Sequence, residues 1–339
     1  VNLLALSDLD AGAGRALLDA TVAMGFSEEV ARAGLRAELD AWRAPGALDR
    51  LRATLPPGLP PGRLPRTVLV IAARTLPASA MRAVLRARLL GARVILKPAS
   101  GQAALARALA AADPEVEARP FGSDQPAALA AAIAGADAVI VLGSDASVAA
   151  VRAATPASRT FVGHGHKLSV AWLRRVDAAA AAGLARDLCA WDQAGCLSPQ
   201  VVWTREAPDV VAGRLADAVA AVEAQLPMVI PEEARLARHA ALARAQMLGG
   251  AHLTATAIVA WGPGAELIPG PGYRFLWVLP ADEAALAQAA PLLSSVATDE
   301  ALPLLPPSVR RCLPGEMQRP PLDWAQDGYP PLGSLLLRQ

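Results

Sequence analysis

Lysine is almost missing from this sequence: Lys97 and Lys167 stand alone among 32 basic residues, the rest being arginine. Both fall in segments that carry candidate chemistry. Cysteine is scarce too. Cys189, Cys196 and Cys312 are an odd number of thiols at unrelated spacings, which excludes a disulfide framework and fits a reducing compartment. An excess of either charge is lacking, since 32 basic residues face 31 acidic ones for a net charge of +1. Nothing electrostatic therefore draws the chain to nucleic acid or to an anionic membrane. Long apolar runs are missing as well, although 54% of the residues are hydrophobic. The richest stretch, residues 126–142, is cut by Gly135 and Asp137, so no segment reads as a bilayer span. Asp8 and Asp10 come early and no basic region precedes an apolar core. The opening residues thus do not read as a secretory leader, and the expected location is the cytoplasm.

What is present is an alternation of strand and helix. A chain of 339 residues can bury one large or two medium cores. Residues 1–62 read as a helical segment, amphipathic over 27–42 through Val30, Leu35, Leu39 and Trp42, that ends in a Pro/Gly linker at 56–62. Apolar strand patterns at 67–72, 93–96, 116–120 and 138–142 then alternate with helical ones at 79–90, 102–111, 125–134 and 144–153. Such alternation predicts a parallel sheet with helices on both faces, and ligands that bind beyond the carboxyl ends of its strands. A second alternation follows residue 200, with strands at 201–204, 253–261 and 273–279 and helices at 209–225, 231–248 and 283–292.

The sharpest chemical signal is the run Asp192-Gln-Ala-Gly-Cys196-Leu-Ser-Pro-Gln200. A helix expected over 177–191, capped by Asp177, leads into it. Gly195 permits a backbone geometry closed to other residues, and Pro199 keeps the helix from resuming. Cys196 is therefore expected on a tight turn that presents its thiol and its backbone amide together. Acyl transfer asks for that pairing, because a thiolate attacks a carbonyl while a nearby N–H holds the oxyanion. On spacing alone, a buried loop thiol is the other reading. Cys189, inside the helix among apolar neighbours, reads as a small core residue, and Cys312 as structural.

Two strand ends offer anion contacts. Lys97 follows the strand Val94-Ile-Leu and precedes Ser100, where an ammonium can meet a ribose or a phosphate; the alternative is a solvated strand-end lysine. Gly143-Ser144 opens a helix at the end of another strand, where free N–H groups and close backbone approach suit a pyrophosphate; the alternative is an ordinary serine N-cap. No G-x-G-x-x-G accompanies it, so a standard dinucleotide fingerprint does not support the reading. His164 and His166 would share one face of a strand. No third ligand stands close to them in sequence, and no metal is expected.

The Cys196 run resembles the nucleophile segment of the acyl-CoA reductases that supply fatty aldehyde to bacterial luciferase, a branch of the aldehyde dehydrogenase superfamily. Phe161-Val-Gly-His-Gly-His166-Lys-Leu-Ser169 is similar to their Phe-x-Gly-x-Gly-His-Lys/Arg-x-Ser segment, and Lys97-Pro-Ala-Ser100 to the superfamily's Lys-Pro-Ser stretch. The resemblance is good over 67–202, weaker to 328 and absent over the first sixty residues.

It implies an aldehyde-dehydrogenase-like α/β fold, two Rossmann-like parallel-sheet domains with the active site in the cleft between them. Residues 63–166 would form the cofactor-binding domain, 167–305 the catalytic domain carrying Cys196, and 306–339 a segment returning to the first domain. The resemblance further implies Cys196 as nucleophile, His166 as an orienting or protonating group, and Lys97, Ser100, Gly143 and Ser144 as cofactor contacts. Two departures stand out. The superfamily's oxyanion asparagine corresponds to Thr75, a shorter donor, and the water-activating glutamate of the oxidising enzymes falls on Gly163 when aligned on Lys167. Losing that base fits reduction better than oxidation, because water would destroy an acyl-enzyme that awaits hydride. Ser100 stands where NAD-preferring members often carry a glutamate, and a hydroxyl can donate to a 2′-phosphate, so NADPH is the expected cofactor. The expected activity is reduction of a fatty acyl thioester to the aldehyde through an acyl-cysteine. The acyl donor would be acyl-CoA or an acyl-protein, the latter served by an acyl-transferring partner enzyme. A catalytically degenerate member that binds acyl groups or a partner enzyme, and an aldehyde-oxidising dehydrogenase, are the alternatives. Self-association stays open.

Overall fold

The computed structural model describes residues 2–337, in two compact units. One holds the residues up to Met24, Leu35–His166 and those from Pro321 on; the other holds Gly25–Gly34 and Lys167–Pro320.

In the first unit, β1 (Thr67–Ile71), β2 (Arg93–Lys97), β3 (Val116–Ala118), β4 (Ala138–Leu142) and β5 (Thr160–His164) form a parallel sheet in the order β3-β2-β1-β4-β5. Its helices are α1 (Gly12–Val22), α2 (Glu28–Arg43), α3 (Ala47–Arg52), α4 (Pro77–Leu89), α5 (Ala103–Ala112), α6 (Pro126–Ala134) and α7 (Asp145–Ala154), with the first turns of α2 assigned to the second unit. Leu69 and Ile71 of β1, Ile95 of β2 and Val139 and Val141 of β4 share one core with Ile133 of α6 and Val151 of α7. Central parallel strands are covered on both faces, which is why they read as unbroken apolar runs. The sheet's order reverses beside β1, the switch point where such folds take ligands.

Residues 1–62 do not stand apart as the sequence suggests. Helix α1 packs on α5, and Glu38 of α2 accepts both the Trp42 indole N–H at 2.7 Å and the Arg82 guanidinium of α4 at 2.7 and 2.8 Å. Both carboxylate oxygens are used, so the pair tolerates burial.

The second unit contains β6 (Leu168–Leu173), α8 (Ala178–Cys189), β7 (Pro199–Thr204), α9 (Pro208–Glu223), α10 (Glu232–Leu248), β8 (Gly250–Leu253), β9 (Ile258–Trp261), β10 (Phe275–Pro280), α11 (Glu283–Ala289), β11 (Leu293–Thr298) and β12 (Arg310–Cys312). Its sheet runs β12-β11-β6-β7-β10-β9-β8. Strand alternation splits the core: Ala171, Leu173, Val202 and Val278 face Leu184 and Leu188 of α8 and Leu215 and Val219 of α9. Val170, Trp172, Val201, Trp203 and Trp277 face Ala245 of α10 and Leu286 of α11.

Three features differ from the sequence reading. The sheet is mixed, because β8 pairs antiparallel with β9. The single strand expected at 253–261 is that hairpin, whose turn is pinned by the Glu223 carboxylate accepting the backbone N–H groups of Ala255 and Thr256 and the hydroxyls of Thr254 and Thr256. Finally, residues 306–320 stay with this unit, since β12 extends the sheet beside β11 and Gly315 N–H donates to Asp187 at 2.6 Å. Among the described residues no helix is long and apolar enough to cross a membrane.

Candidate functional site

Asp177 caps α8, accepting from Ala180 N–H at 2.9 Å, and the helix ends at Cys189. A short 3-10 turn, Ala190–Gln193, leads to a turn closed by Ser198 N–H donating to Gly195 O at 3.1 Å. Cys196 sits half-buried just after Gly195, on a turn as its spacing predicts. The unusual geometry lies elsewhere than expected. Gly195 is not left-handed; Trp191, Asp192 and Gln193 are, with φ of 54°, 50° and 62°. Each such residue costs about 1–2 kcal/mol when it is not glycine, so side chains must hold the backbone there.

They do so through buried polar contacts. Gln193 donates to Pro199 O at 2.8 Å and Phe275 O at 2.7 Å, and accepts Phe275 N–H at 2.7 Å, tying the turn to the starts of β7 and β10. Asp192 accepts at 2.5 Å from Arg274, a fully buried guanidinium that also donates to Leu226 O at 2.7 Å and Thr256 Oγ1 at 2.9 Å. Trp191 lies edge-on to Phe26, with ring centroids 5.4 Å apart. A Cβ at Gly34 would overlap the Trp191 indole. The Cys196 carbonyl accepts from Ser169 Oγ at 2.7 Å, and Ser169 Oγ in turn accepts from Ser295 Oγ at 2.9 Å. Ser198 Oγ accepts from Gln318 Nε2 at 2.8 Å. The backbone on both sides of Cys196 is thus held by side chains from outside the turn.

Burial dominates the titrating groups beside this turn. It pushes Asp187 up to about 6, against the N–H bonds of Gly315 and Gln318, and Asp192 up to about 6, against the pull of Arg274. It also raises Cys189 and Cys312 to about 11, so those thiols stay protonated at neutral pH. Arg274, Ser295 and Gln318 are not legible as site residues in the sequence, and Ser169 is legible only as the closing residue of the segment 161–169. The only sign of the first is an arginine placed directly before the apolar run Phe275-Leu-Trp-Val-Leu.

In the first unit, Thr75 is exposed on the loop between β1 and α4. Lys97 ends β2 half-buried, its ammonium 5.6 Å from the centre of the Phe121 ring, and burial lowers its pKa. Ser100 is exposed ahead of Gly101, whose φ is 80°. Gly143 follows β4, and a Cβ there would meet nothing nearer than Ser147 Cβ at 3.4 Å, an ordinary contact. Ser144 is the N-cap of α7 and accepts Ser147 N–H at 3.2 Å, so the capping role is filled by the same residue. These five positions follow the carboxyl ends of β1, β2 and β4. The expected shared face of two histidines is not formed, because β5 stops at His164. His164 is buried, 2.7 Å from Asp327 Oδ2, whereas His166 is exposed and its N–H donates to Asp145 Oδ1 at 2.8 Å. Lys167, in the second unit, donates to Pro291 O at 2.7 Å. Among the described residues no three His, Cys, Asp or Glu side chains gather as metal ligands.

A family model described as acyl-CoA reductase (LuxC) matches residues 30–335, reaching well ahead of the stretch where the resemblance is legible by eye. Similar solved structures include a NAD-dependent benzaldehyde dehydrogenase from Corynebacterium glutamicum (15% identity, TM-score 0.64, covering 92% of this chain and 80% of that one). The substrate-bound AldH of Staphylococcus aureus is similar at 13% identity and TM-score 0.67, covering 92% and 79%. Succinic semialdehyde dehydrogenase of Streptococcus pyogenes, solved with NADP+, is similar at 13% identity and TM-score 0.67, covering 92% and 80%. At these identities the likeness concerns the fold, which is that of the aldehyde dehydrogenases. No curated protein matches the chain.

Proposed function

The chain belongs to the acyl-CoA reductase (LuxC) family, and from that premise we propose that it reduces a fatty acyl thioester to the aldehyde, with Cys196 as nucleophile and NADPH as reductant. The observation that carries this reading is the place of Cys196, half-buried on a turn whose backbone is locked, whereas Cys189 lies wholly buried inside α8.

The Cys196 thiolate attacks the thioester carbonyl, the carbonyl–sulfur bond to the donor breaks, and the donor leaves as its thiolate, giving an acyl-cysteine. The Cys196 N–H, with the Thr75 hydroxyl, supplies the donors for the oxyanion. Bound NADPH would supply the hydride that takes the acyl carbon to the aldehyde level. Collapse of the resulting thiohemiacetal returns the Cys196 thiolate and releases aldehyde, with His166 the group to orient or protonate. Residues of the first unit fit such a cofactor. The Lys97 ammonium rests on an aromatic ring with no carboxylate paired to it among the described residues, Ser100 offers an exposed hydroxyl, and Gly143 precedes the N-terminus of α7, where backbone N–H groups suit a phosphate. The fatty chain, the preference for NADPH and the acyl donor extend the family's chemistry to this chain.

Mass spectrometry of the intact protein after incubation with a long-chain acyl-CoA, alone and then with NADPH, tests the reading. The expected result is one acyl adduct on Cys196 that is discharged as aldehyde when NADPH is added. Cys196→Ala should abolish the adduct and lower turnover on the order of a thousandfold or more. An adduct that persists with NADPH would favour an acyl-binding member without turnover, a reading for which Thr75 in the asparagine position speaks.

A further inference from the structure

Gln102 follows the Lys97–Gly101 loop and stands at the N-cap position of α5, yet its side chain makes no capping bond. Instead its Nε2 crosses to the neighbouring loop and donates to Arg74 O at 2.6 Å, one residue before Thr75. The residue is 8% exposed, and its Oε1 is buried without a hydrogen-bond partner among the described residues. Exchanging the amide's oxygen and nitrogen would set oxygen against the Arg74 carbonyl, so the orientation is fixed by chemistry. Below this tie, Ala72 N–H donates to Lys97 O at 2.9 Å, which carries the β1–β2 ladder one residue past the end of β1. The two loops therefore rise from a common rigid base, and the Gln102 amide is the next bond between them.

We infer that Gln102 is a positioning residue that couples cofactor occupancy at Lys97 and Ser100 to the placement of the Thr75 loop; this rests on the proposed reaction. A buried acceptor without a donor is uncommon in folded proteins, and here it marks an arrangement that a second state can improve. Gly101, at φ 80° and with nothing within 4 Å of where a Cβ would stand, is the pivot between Ser100 and Gln102. With a cofactor held at Ser100, Gly101 would be the point about which Gln102 turns towards a donor, and the Arg74 carbonyl would move with it. Cofactor binding is then felt at the Thr75 hydroxyl before any hydride moves.

The test uses the full chain and NADP+, which carries no hydride to transfer. The rate of Cys196 acylation by acyl-CoA is followed by quenched-flow mass spectrometry with and without NADP+, alongside amide hydrogen exchange over residues 72–76. In the wild type, NADP+ should change the acylation rate about five- to tenfold and slow exchange in that loop. Gln102→Leu should lose both responses while its NADP+ affinity stays within about threefold. Gln102→Met, which removes the donor and keeps the side-chain length, should behave likewise. A wild-type response retained in both variants, or an equal loss of rate with and without NADP+, would overturn the coupling, the latter showing a purely structural tie. If wild-type Cys196 takes no acyl group at all, the proposed reaction fails and the coupling falls with it.

Discussion

The Cys196 turn and the loops that follow β1, β2 and β4 are built in opposite ways. Around Cys196, three consecutive non-glycine residues are left-handed, held by buried Arg274 on Asp192 and by the Gln193 amide on Phe275, while Ser169 fixes the Cys196 carbonyl. Around Thr75, Ser100 and Ser144 the side chains are exposed, and the one left-handed residue is Gly101, which adopts that geometry at little cost. Strain held by an over-determined network suits an atom that must stay fixed. Loops with few buried contacts suit a ligand that must enter and leave. The difference teaches where each unit concentrates its stability.

The comparison breaks most directly at Arg274. Arg274→Met leaves Asp192 buried without its partner, and removing one member of a buried pair costs about 3–5 kcal/mol. Urea unfolding should show a loss of that size, together with a changed rate of Cys196 alkylation by iodoacetamide in the folded protein. A loss under about 1 kcal/mol would mean that the left-handed run is held without the Arg274 pair, and that side of the contrast would fall to Gln193 alone.

Asp187 sharpens the same contrast through pH. Its carboxyl stands at about 6 in the folded chain against an ordinary 3.8, because burial disfavours the charge. Between those values the folded state keeps a proton that the unfolded chain has released, so this contribution to stability is complete below the lower value and is lost as pH rises through the upper one. The loss amounts to at most about 3 kcal/mol. Asp187→Asn keeps an acceptor for the Gly315 N–H and should flatten that part of the stability profile between about pH 4 and 6. A variant profile parallel to the wild type would place the pH dependence elsewhere.

Most of the first unit is legible in the sequence because its strands at β1, β2 and β4 are buried on both faces and bounded by helices of ordinary length. The second unit is less so. Leu293-Ser-Ser-Val-Ala-Thr298 is a wholly buried strand, but two adjacent serines break the apolar pattern that would announce it, and their role emerges only when Ser295 meets Ser169. The hairpin of β8 and β9 hides in a run that reads as one strand, because the Glu223 carboxylate that pins its turn lies far away in sequence. The Cys196 turn shows both limits. Its existence follows from the glycine and the proline, yet the left-handed residues sit ahead of the glycine, held by Arg274 and by the bonds of Gln193 to Phe275, partners that no local spacing connects to the sulfur.

The smallest effect on stability is expected at Thr75, and it separates the two regions most cleanly. Thr75 is exposed, so Thr75→Ala should change the unfolding free energy by no more than about 0.5 kcal/mol. If its hydroxyl holds the oxyanion, acylation of Cys196 should nevertheless slow on the order of tenfold to a hundredfold, and Thr75→Asn, which provides a longer donor, should restore or exceed the wild-type rate. Arg274→Met should show the reverse pattern, with stability lost first and reactivity following from it. An unchanged rate in Thr75→Ala would leave the Cys196 N–H as the remaining oxyanion donor of the proposed reaction. The loops of the first unit would then serve the cofactor alone, and the division between a fixed nucleophile and adaptable ligand loops would become complete.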